Sequence, residues 1–276
     1  MFHLDDQHRF IFHDGGITHP VYHDGQGPGV LILHELPGLS PKCIELAELV
    51  MAQGYTVYLP LLFGNPGQFS MGKGMVSLAR LCITREFTCL STNRPSRIAG
   101  WLRALCRRIK AECGGKGVGA IGMCMTGNII LSVMLDDSVM APVISQPSFP
   151  IWNIGFPGLA SKEERKRALA VPDEDVKRAA ERAKTKNVPL LAYRFATDTH
   201  VPAERFVTLR EAFGPCLHAR EIPTGPANPG NIKDGSHCVL TEHFVNTPGH
   251  PTRQALDEIL EHFAAQLQVV GQLPQN

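Results

Sequence analysis

The chain has 276 residues, 43% of them hydrophobic and 19% charged, and its 27 Lys and Arg residues are balanced by 26 Asp and Glu residues. This length and composition are ordinary for a globular protein with one large buried core. Because the charges nearly cancel, no field attracts nucleic acid or an anionic membrane, and neither is expected as a partner.

The N-terminus is unlike an export signal. Residues 1–10 are acidic and His-rich, whereas a secretory signal has a basic end followed by an apolar stretch. No apolar run approaches the length that crosses a bilayer. We therefore expect a cytoplasmic protein.

Eight cysteines are scattered along the chain, and none forms a Cys-x-x-Cys pair. Without an export signal, this spacing predicts free thiols rather than disulfides or a structural zinc site. Five histidines near the N-terminus also follow no ligand spacing, and a surface hairpin explains them: His3, His8, His13, His19 and His23. We expect neither a metal nor another cofactor.

The first part of the chain predicts strands followed by a β-α-β unit. Two strand-like segments within residues 8–24 precede a continuous apolar run at 30–35, which is typical of a strand buried on both faces. Ser40-Pro41 predicts the start of a helix, Gly54 its end, and 55–60 the next strand. Two strands joined by a helix favour parallel pairing with a right-handed crossover.

The alternation of strands and helices continues to the end of the chain. An amphipathic helix is expected from about residue 95 to residue 114, then a strand at 118–121 and a helix to about Leu135. Strand patterns return at 189–198 and 216–223, and the last helix covers 251–268.

The segment 161–187 differs from the rest, because it is highly charged and has few large apolar side chains. It predicts two exposed helices at the surface. We therefore expect a single α/β domain over residues 1–276 with a charged helical excursion at about 161–187.

Cys124 lies where a predicted strand meets a predicted helix, in the sequence GMCMTG at residues 122–127. This context is typical of a nucleophile elbow, in which the sharp turn requires small neighbours such as Gly122. A helix N-terminus favours a thiolate, and the backbone N–H of Met125 would face the same oxyanion. The usual motif has glycine two residues after the nucleophile, where this chain has Thr126. On spacing alone, a small core residue explains Cys124 equally well.

An acid and a histidine follow in the order that an α/β-hydrolase sheet requires. Asp198 ends a predicted strand, and His237 follows the next strand and a long loop. Each residue has another explanation, because Asp198 precedes a predicted helix that it would cap and His237 is one histidine among twelve. If the alternative explanations of Cys124, Asp198 and His237 were all correct, the three residues would stand in the order nucleophile, acid and histidine only by coincidence.

Four segments resemble the dienelactone hydrolase (carboxymethylenebutenolidase) family: VLILHELPGL, GMCMTG, DTHVPAERF and DGSH. The resemblance runs from about residue 28 to the final helix. It implies an α/β-hydrolase fold, with a central, mostly parallel sheet flanked by helices and with antiparallel strands at the N-terminus. It also implies that Cys124 is the nucleophile, Asp198 the acid and His237 the base.

The same resemblance gives roles to Glu35 and Leu36. In this family a glutamate at the position of Glu35 contacts the resting thiol and helps to activate it when substrate binds. Leu36 would supply the second N–H of the oxyanion hole beside Met125. Without the resemblance, Glu35 is explained as a solvated loop acid.

Departures from the family pattern concern the substrate. The dienelactone enzymes hold a substrate carboxylate with two arginines. One of these corresponds to Arg80 or Arg85, but Thr241 stands at the position of the other. Thr126, in place of glycine, is expected to crowd the turn or reshape the pocket. The resemblance therefore implies retained chemistry on a substrate other than dienelactone.

These observations predict a hydrolase that cleaves a small ester or lactone through an acyl-enzyme on Cys124. One alternative is a non-catalytic protein of the same fold that binds a small molecule. A second is a thioesterase with the same triad. A third is a metal-binding or redox protein built on the cysteines and histidines.

Overall fold

The computed structural model describes residues 1–67, 96–148 and 161–267. Its strands are β1 (Arg9–Asp14), β2 (Ile17–Gly25), β3 (Gly29–Leu33), β4 (Thr56–Pro60), β5 (Val118–Met123), β6 (Val139–Ser145), β7 (Leu190–Phe195) and β8 (Leu217–Ile222). Its helices are α1 (Pro41–Met51), α2 (Arg97–Cys113), α3 (Met125–Val133), α4 (Lys162–Arg167), α5 (Asp173–Thr185), α6 (Ala203–Phe213) and α7 (Pro251–Leu267). None of these helices is both long and apolar enough to cross a membrane.

The eight strands form one sheet in the order β1-β2-β4-β3-β5-β6-β7-β8. Six of them, from β4 to β8 in this order, pair in parallel, whereas β2 is antiparallel to both of its neighbours. Helices cover both faces of the sheet. The predicted fold, a mostly parallel sheet with antiparallel strands at the N-terminus, is therefore confirmed.

Two hydrophobic cores lie on opposite faces of the sheet, and β3 is therefore buried on both of its faces. Val30 and Ile32 belong to the core that includes residues of α1 and α7, while Leu31 and Leu33 belong to the core that includes residues of α2, α3, α5 and α6. Burial of one such side chain stabilises the fold by about 1.5–3 kcal/mol. The continuous apolar run at this strand is the consequence of having a core on each side.

The helix after β3 begins where the sequence predicts it. The Ser40 hydroxyl accepts a hydrogen bond from the backbone N–H of Cys43, and Pro41 occupies the first helical position. The buried face of α1 then carries Leu46 and Val50. This helix connects β3 to β4 and so produces the parallel pairing of those strands.

The charged segment after β6 forms α4 and α5. No residue of α4 is buried, but α5 buries Val176, Ala179 and Ala183 against α3 and α6. α5 is therefore part of the crossover between β6 and β7, and only its outer face is exposed. The charged sequence did not indicate this packing, because two of the three buried positions carry only alanine.

The strand register brings three strand ends to one edge of the sheet. Leu33 of β3 lies opposite Gly122 of β5, and Met123 of β5 lies opposite Ser145 of β6. The residues that follow these strands therefore meet at the C-terminal edge, where parallel sheets bind their ligands.

Candidate active site

Cys124 occupies the turn between β5 and α3 with φ 54° and ψ −127°. This positive φ is rare for a residue with a side chain and is found at strained functional positions. The turn is tight: a Cβ on Gly122 would lie 2.6 Å from the carbonyl oxygen of Thr126 and 2.5 Å from the side chain of Ile130. The segment is a nucleophile elbow, with its thiol at the N-terminus of a helix.

Thr126 is fully buried and ties the elbow to β3. Its hydroxyl accepts a hydrogen bond from the backbone N–H of Met123 (3.0 Å), and its single hydrogen is shared between the carbonyl groups of Met123 (2.8 Å) and Leu33 (3.1 Å). Since no part of this side chain is exposed, Thr126 does not line the pocket. The threonine instead links the ends of two adjacent strands.

Asp198 and His237 come together as predicted. The Nδ1 atom of His237 lies 2.7 Å from Oδ2 of Asp198, and the Asp198 side chain is completely buried. The other carboxylate oxygen accepts from the backbone N–H of His200 at 2.8 Å. The residue that caps α6 is Pro202, so Asp198 does not have the alternative role of helix cap.

The thiol of Cys124 lies close enough to the ring of His237 to affect the pKa of that ring. Because Nδ1 faces Asp198, the atom available to the thiol is Nε2. Burial lowers the pKa of His237, but the neighbouring Asp198 carboxylate and Cys124 sulfur outweigh it and raise the pKa to about 11. This environment favours the imidazolium form, which is the partner of a thiolate.

Ser148, like His237, lies next to the Cys124 thiol, and the sequence analysis did not identify it. Its hydroxyl lies 2.9 Å from the sulfur of Cys124, and its backbone N–H donates to the Cys124 carbonyl at 3.1 Å. Ser148 follows β6, the strand next to β5. A serine shortly after that strand was the only signal in the sequence.

Glu35 is buried at the end of β3, with 4% of its surface exposed. Its carboxylate accepts hydrogen bonds from Gln146 (3.2 Å) and from Thr241, and the thiol of Cys238 lies within 4.8 Å of it. The explanation as a solvated loop acid is therefore wrong. The thiol beside Glu35 belongs to Cys238, whereas that of Cys124 faces Ser148 and His237.

Thr241 stands where the family has an arginine, and it is buried beside Glu35 as a hydrogen-bond donor. An uncharged group therefore fills that half of the carboxylate clamp. Arg80 and Arg85, the candidates for the other half, lie outside the described residues.

His34 supports the segment that carries Glu35 and Leu36. Its Nε2 accepts from the backbone N–H of Leu62 at 3.0 Å, and its Nδ1 lies 3.2 Å from the Glu35 carbonyl oxygen. Burial lowers the pKa of His34 to about 4, so the ring is neutral and Nδ1 carries the donated hydrogen. No sequence pattern marked this histidine as a support for the segment.

Leu36 and Met125 follow adjacent strands at the same edge of the sheet. Leu36 comes directly after Glu35, whose carbonyl accepts from the N–H of Gly38 at 2.8 Å, so the chain turns at this point. Met125 is the first residue of α3, where backbone N–H groups have no partner within the helix. This placement is suited to a pair of oxyanion donors.

A mostly parallel sheet, a strained cysteine elbow after a central strand, and a histidine bound to a buried aspartate define an α/β-hydrolase. More narrowly, the chain belongs to the dienelactone hydrolase family, whose model matches residues 14–215. It is thus a carboxylic ester hydrolase. The match includes Cys124 and Asp198 and ends before His237. No curated protein matches the chain significantly.

Solved structures share this fold at low sequence identity. A protein of Klebsiella pneumoniae assigned to the dienelactone hydrolases is 16% identical, with a TM-score of 0.59 over 93% of this chain and 97% of its own. A cold-adapted esterase from an Arctic intertidal metagenomic library is 15% identical, with a TM-score of 0.60 over 94% and 93%. A dienelactone hydrolase-like promiscuous phosphotriesterase from metagenomic libraries is 14% identical, with a TM-score of 0.57 over 94% and 97%.

Proposed function

We propose that this protein hydrolyses a small ester or lactone through a Cys124-His237-Asp198 triad and an acyl-enzyme. The observation that carries the proposal is the position of His237: one ring nitrogen lies 2.7 Å from Asp198, and the ring is close enough to the elbow thiol for Cys124 to raise its pKa. No metal or organic cofactor enters the reaction. The cytoplasmic location stays a prediction of the sequence.

In the first half of the reaction, the thiolate of Cys124 attacks the carbonyl carbon of the bound ester. The carbonyl oxygen becomes an oxyanion that accepts hydrogen bonds from the N–H groups of Leu36 and Met125. Loss of one such donor typically lowers the rate by roughly 10²–10³-fold. His237 then donates its proton to the leaving oxygen, the C–O bond breaks, and a thioester remains on Cys124.

In the second half, neutral His237 takes a proton from water, and the resulting hydroxide attacks the thioester. The tetrahedral intermediate collapses, the acid is released, and the thiolate and imidazolium are restored. Asp198 holds the ring in the tautomer with hydrogen on Nδ1, so that Nε2 is the atom that accepts and returns the proton.

The charge of the site favours an uncharged substrate. Glu35 brings a buried carboxylate that is held by neutral donors, and burial together with Glu35 raises the pKa of nearby Glu242. A substrate carboxylate near Thr241 would meet this negative charge without the family's arginine. We therefore propose that the substrate is a neutral ester or lactone and not dienelactone itself.

The test is a panel of a p-nitrophenyl ester, a lactone, a thioester and a phosphotriester, assayed with the wild type beside Cys124→Ala. We expect hydrolysis of at least one carboxylic substrate, and loss of that activity in Cys124→Ala. Cys216→Ala, which removes a partly exposed thiol elsewhere, is the matched control and should keep full activity. Undiminished turnover by Cys124→Ala would refute the triad, and an inactive wild type would favour a non-catalytic binding protein.

A further inference from the structure

A second thiol lies within the catalytic cluster. Cys238 directly follows His237, and one ligand atom from each of Glu35, His237 and Cys238 lies within 4.8 Å of the other two. The thiol of Cys124 lies near the same histidine ring and raises its pKa. A carboxylate, an imidazole and the Cys238 thiol therefore converge on one place, with the Cys124 thiol beside the same histidine ring, although Cys238 has no part in the proposed reaction.

We propose that these four side chains bind a divalent cation of the zinc type, and that the bound cation switches the hydrolase off. Thiolate, imidazole and carboxylate groups are the ligands that zinc takes in proteins, and two sulfur atoms favour it over harder cations such as magnesium. Zinc-to-ligand bonds of about 2.0–2.3 Å place tetrahedral ligand atoms roughly 3.3–3.8 Å apart. The ligand atoms of Glu35, His237 and Cys238 reach this spacing when their side chains close by roughly 1 Å, and the Cys124 thiol completes the tetrahedron when it turns towards them.

Two of the ligands are already oriented by partners outside the cluster. Asp198 holds Nδ1 of His237 and so leaves Nε2 as the donor atom, which is the carboxylate–histidine arrangement common behind zinc ligands. Glu35 is fixed by Gln146 at 3.2 Å and by Thr241. The backbone beside Cys238 is fixed as well, since its N–H donates to a neighbouring histidine ring at 3.1 Å.

Access and charge both suit a cation. Glu35 is buried, but Cys124, His237 and Cys238 are partly exposed, so the cluster is open to solvent on one side. When a cation binds, the two thiols release their protons, and the two thiolates and the carboxylate face its double charge. The same sulfur and nitrogen atoms are then withheld from the ester. The inhibition rests on the proposed function, whereas the binding does not.

The binding test uses a His3→Ala/His8→Ala double variant as the parent protein. His3, His8 and Asp24 form another group with ligand atoms within 4.8 Å, near the N-terminus, and the double variant removes that exposed group from the measurement. Zn²⁺ affinity is measured by competition with a chelator. Co²⁺ serves as the spectroscopic probe, because only thiolate ligands give an intense near-ultraviolet charge-transfer band.

We expect the parent to bind one cation per chain and to show the thiolate–Co²⁺ band. Cys238→Ser should weaken Zn²⁺ binding by more than roughly 100-fold, the upper end of the loss caused by outer-sphere changes. Cys216→Ser, the matched control, should bind like the parent. Thermal unfolding of Cys238→Ser and Cys238→Ala shows whether both variants are folded.

Failure to bind stoichiometric Zn²⁺, or a folded Cys238→Ser that binds like the parent, would overturn the site. Hydrolysis of the panel ester should fall with Zn²⁺ and return with excess chelator. Full hydrolysis by the zinc-loaded protein would overturn the switch. Cys238-dependent binding in a protein that hydrolyses nothing would leave the metal site standing and remove the proposed function.

Discussion

At the scale of the residue, the candidate site depends on which groups each side chain engages. His237 lies between a fully buried carboxylate and a strained cysteine, so its two ring nitrogens face different groups. Glu35 is beside the cluster but is held by neutral donors. Each of these residues owes its proposed role to a hydrogen-bond partner distant in the sequence.

Asp198→Asn keeps the shape of the side chain but replaces one acceptor oxygen by a donor. We expect kcat on the panel ester to fall by roughly 10³–10⁴-fold, because the amide favours the wrong tautomer of His237. Steady-state kinetics measure the change, with Asp257→Asn, a partly exposed carboxylate of α7 that pairs with Arg253, as the control. Wild-type kcat in Asp198→Asn would show that the aspartate does not orient the base.

Thr126→Val removes a buried hydroxyl at nearly constant volume. The backbone N–H of Met123 and the carbonyl of Leu33 then lose their partner, so we expect the free energy of unfolding to fall by about 1–3 kcal/mol. Urea unfolding measures the loss. Thr126→Ser, which keeps the hydroxyl, should lose less, and a Val variant as stable as the wild type would contradict the role of the hydroxyl as a link between strands.

At the scale of the element, the elbow is a joint between β5 and α3 that only a small residue at position 122 allows. The strand delivers Cys124 to the C-terminal edge, and the helix begins at the next residue. The neighbouring strands β3 and β6 end at the same edge and bring Glu35 and Ser148 to it. The site is therefore built from the ends of elements rather than from one motif.

Gly122→Ala tests this joint. The added methyl would lie 2.6 Å from a backbone oxygen and 2.5 Å from Ile130, so the elbow must shift. We expect a loss of about 1–3 kcal/mol in stability and a large loss of kcat. Unfolding and kinetic measurements check both.

Gly100→Ala in α2 is the matched control, because the nearest atom to its added methyl is a flexible Arg103 nitrogen at 4.0 Å. It should stabilise the protein by roughly 0.5–1 kcal/mol. If Gly122→Ala behaved like Gly100→Ala, the elbow would not be tightly packed.

At the scale of the whole molecule, stability depends on two cores, one on each face of the sheet. His262 of α7 is buried, with 9% of its surface exposed, and its Nε2 has no partner among the residues that the structure describes. Burial, followed by the nearby His218, lowers the pKa of His262 to about 4. The folded protein therefore resists protonation at this position.

This lowered pKa predicts a loss of stability in mild acid. Between pH 6.5 and pH 4 the unfolded chain binds more protons than the folded one, so the free energy of unfolding falls as the pH falls. For His262 alone the loss is about 2 kcal/mol at pH 5 relative to pH 8. Urea unfolding at both pH values should show a smaller difference for His262→Gln than for the wild type. Equal differences would contradict the prediction, and the contribution of buried His34 cancels in the comparison.

The sequence by itself determined the fold class and the family, because both depend on local patterns. The continuous apolar run of β3, the Ser40-Pro41 start of α1 and the alternation of strands and helices indicate a parallel sheet with helices on both faces. Family membership was visible in short motifs around Cys124 and Asp198. The order of Cys124, Asp198 and His237 in the sequence also predicted that Asp198 and His237 would lie together, and the structure has this contact.

Only the tertiary structure decided what surrounds those residues, since its contacts join positions far apart in the chain. Thr241 lies 206 residues from the carboxylate of Glu35 to which it donates, and Ser148 reaches Cys124 because β5 and β6 are neighbours. The spacing of Cys and His residues predicted no metal ligands, yet Cys238 stands beside Glu35 in a cluster of ligand atoms. The spacing of residues in the sequence shows which residues are neighbours within one strand or helix. Which strand ends lie side by side depends on the order of the strands in the folded sheet.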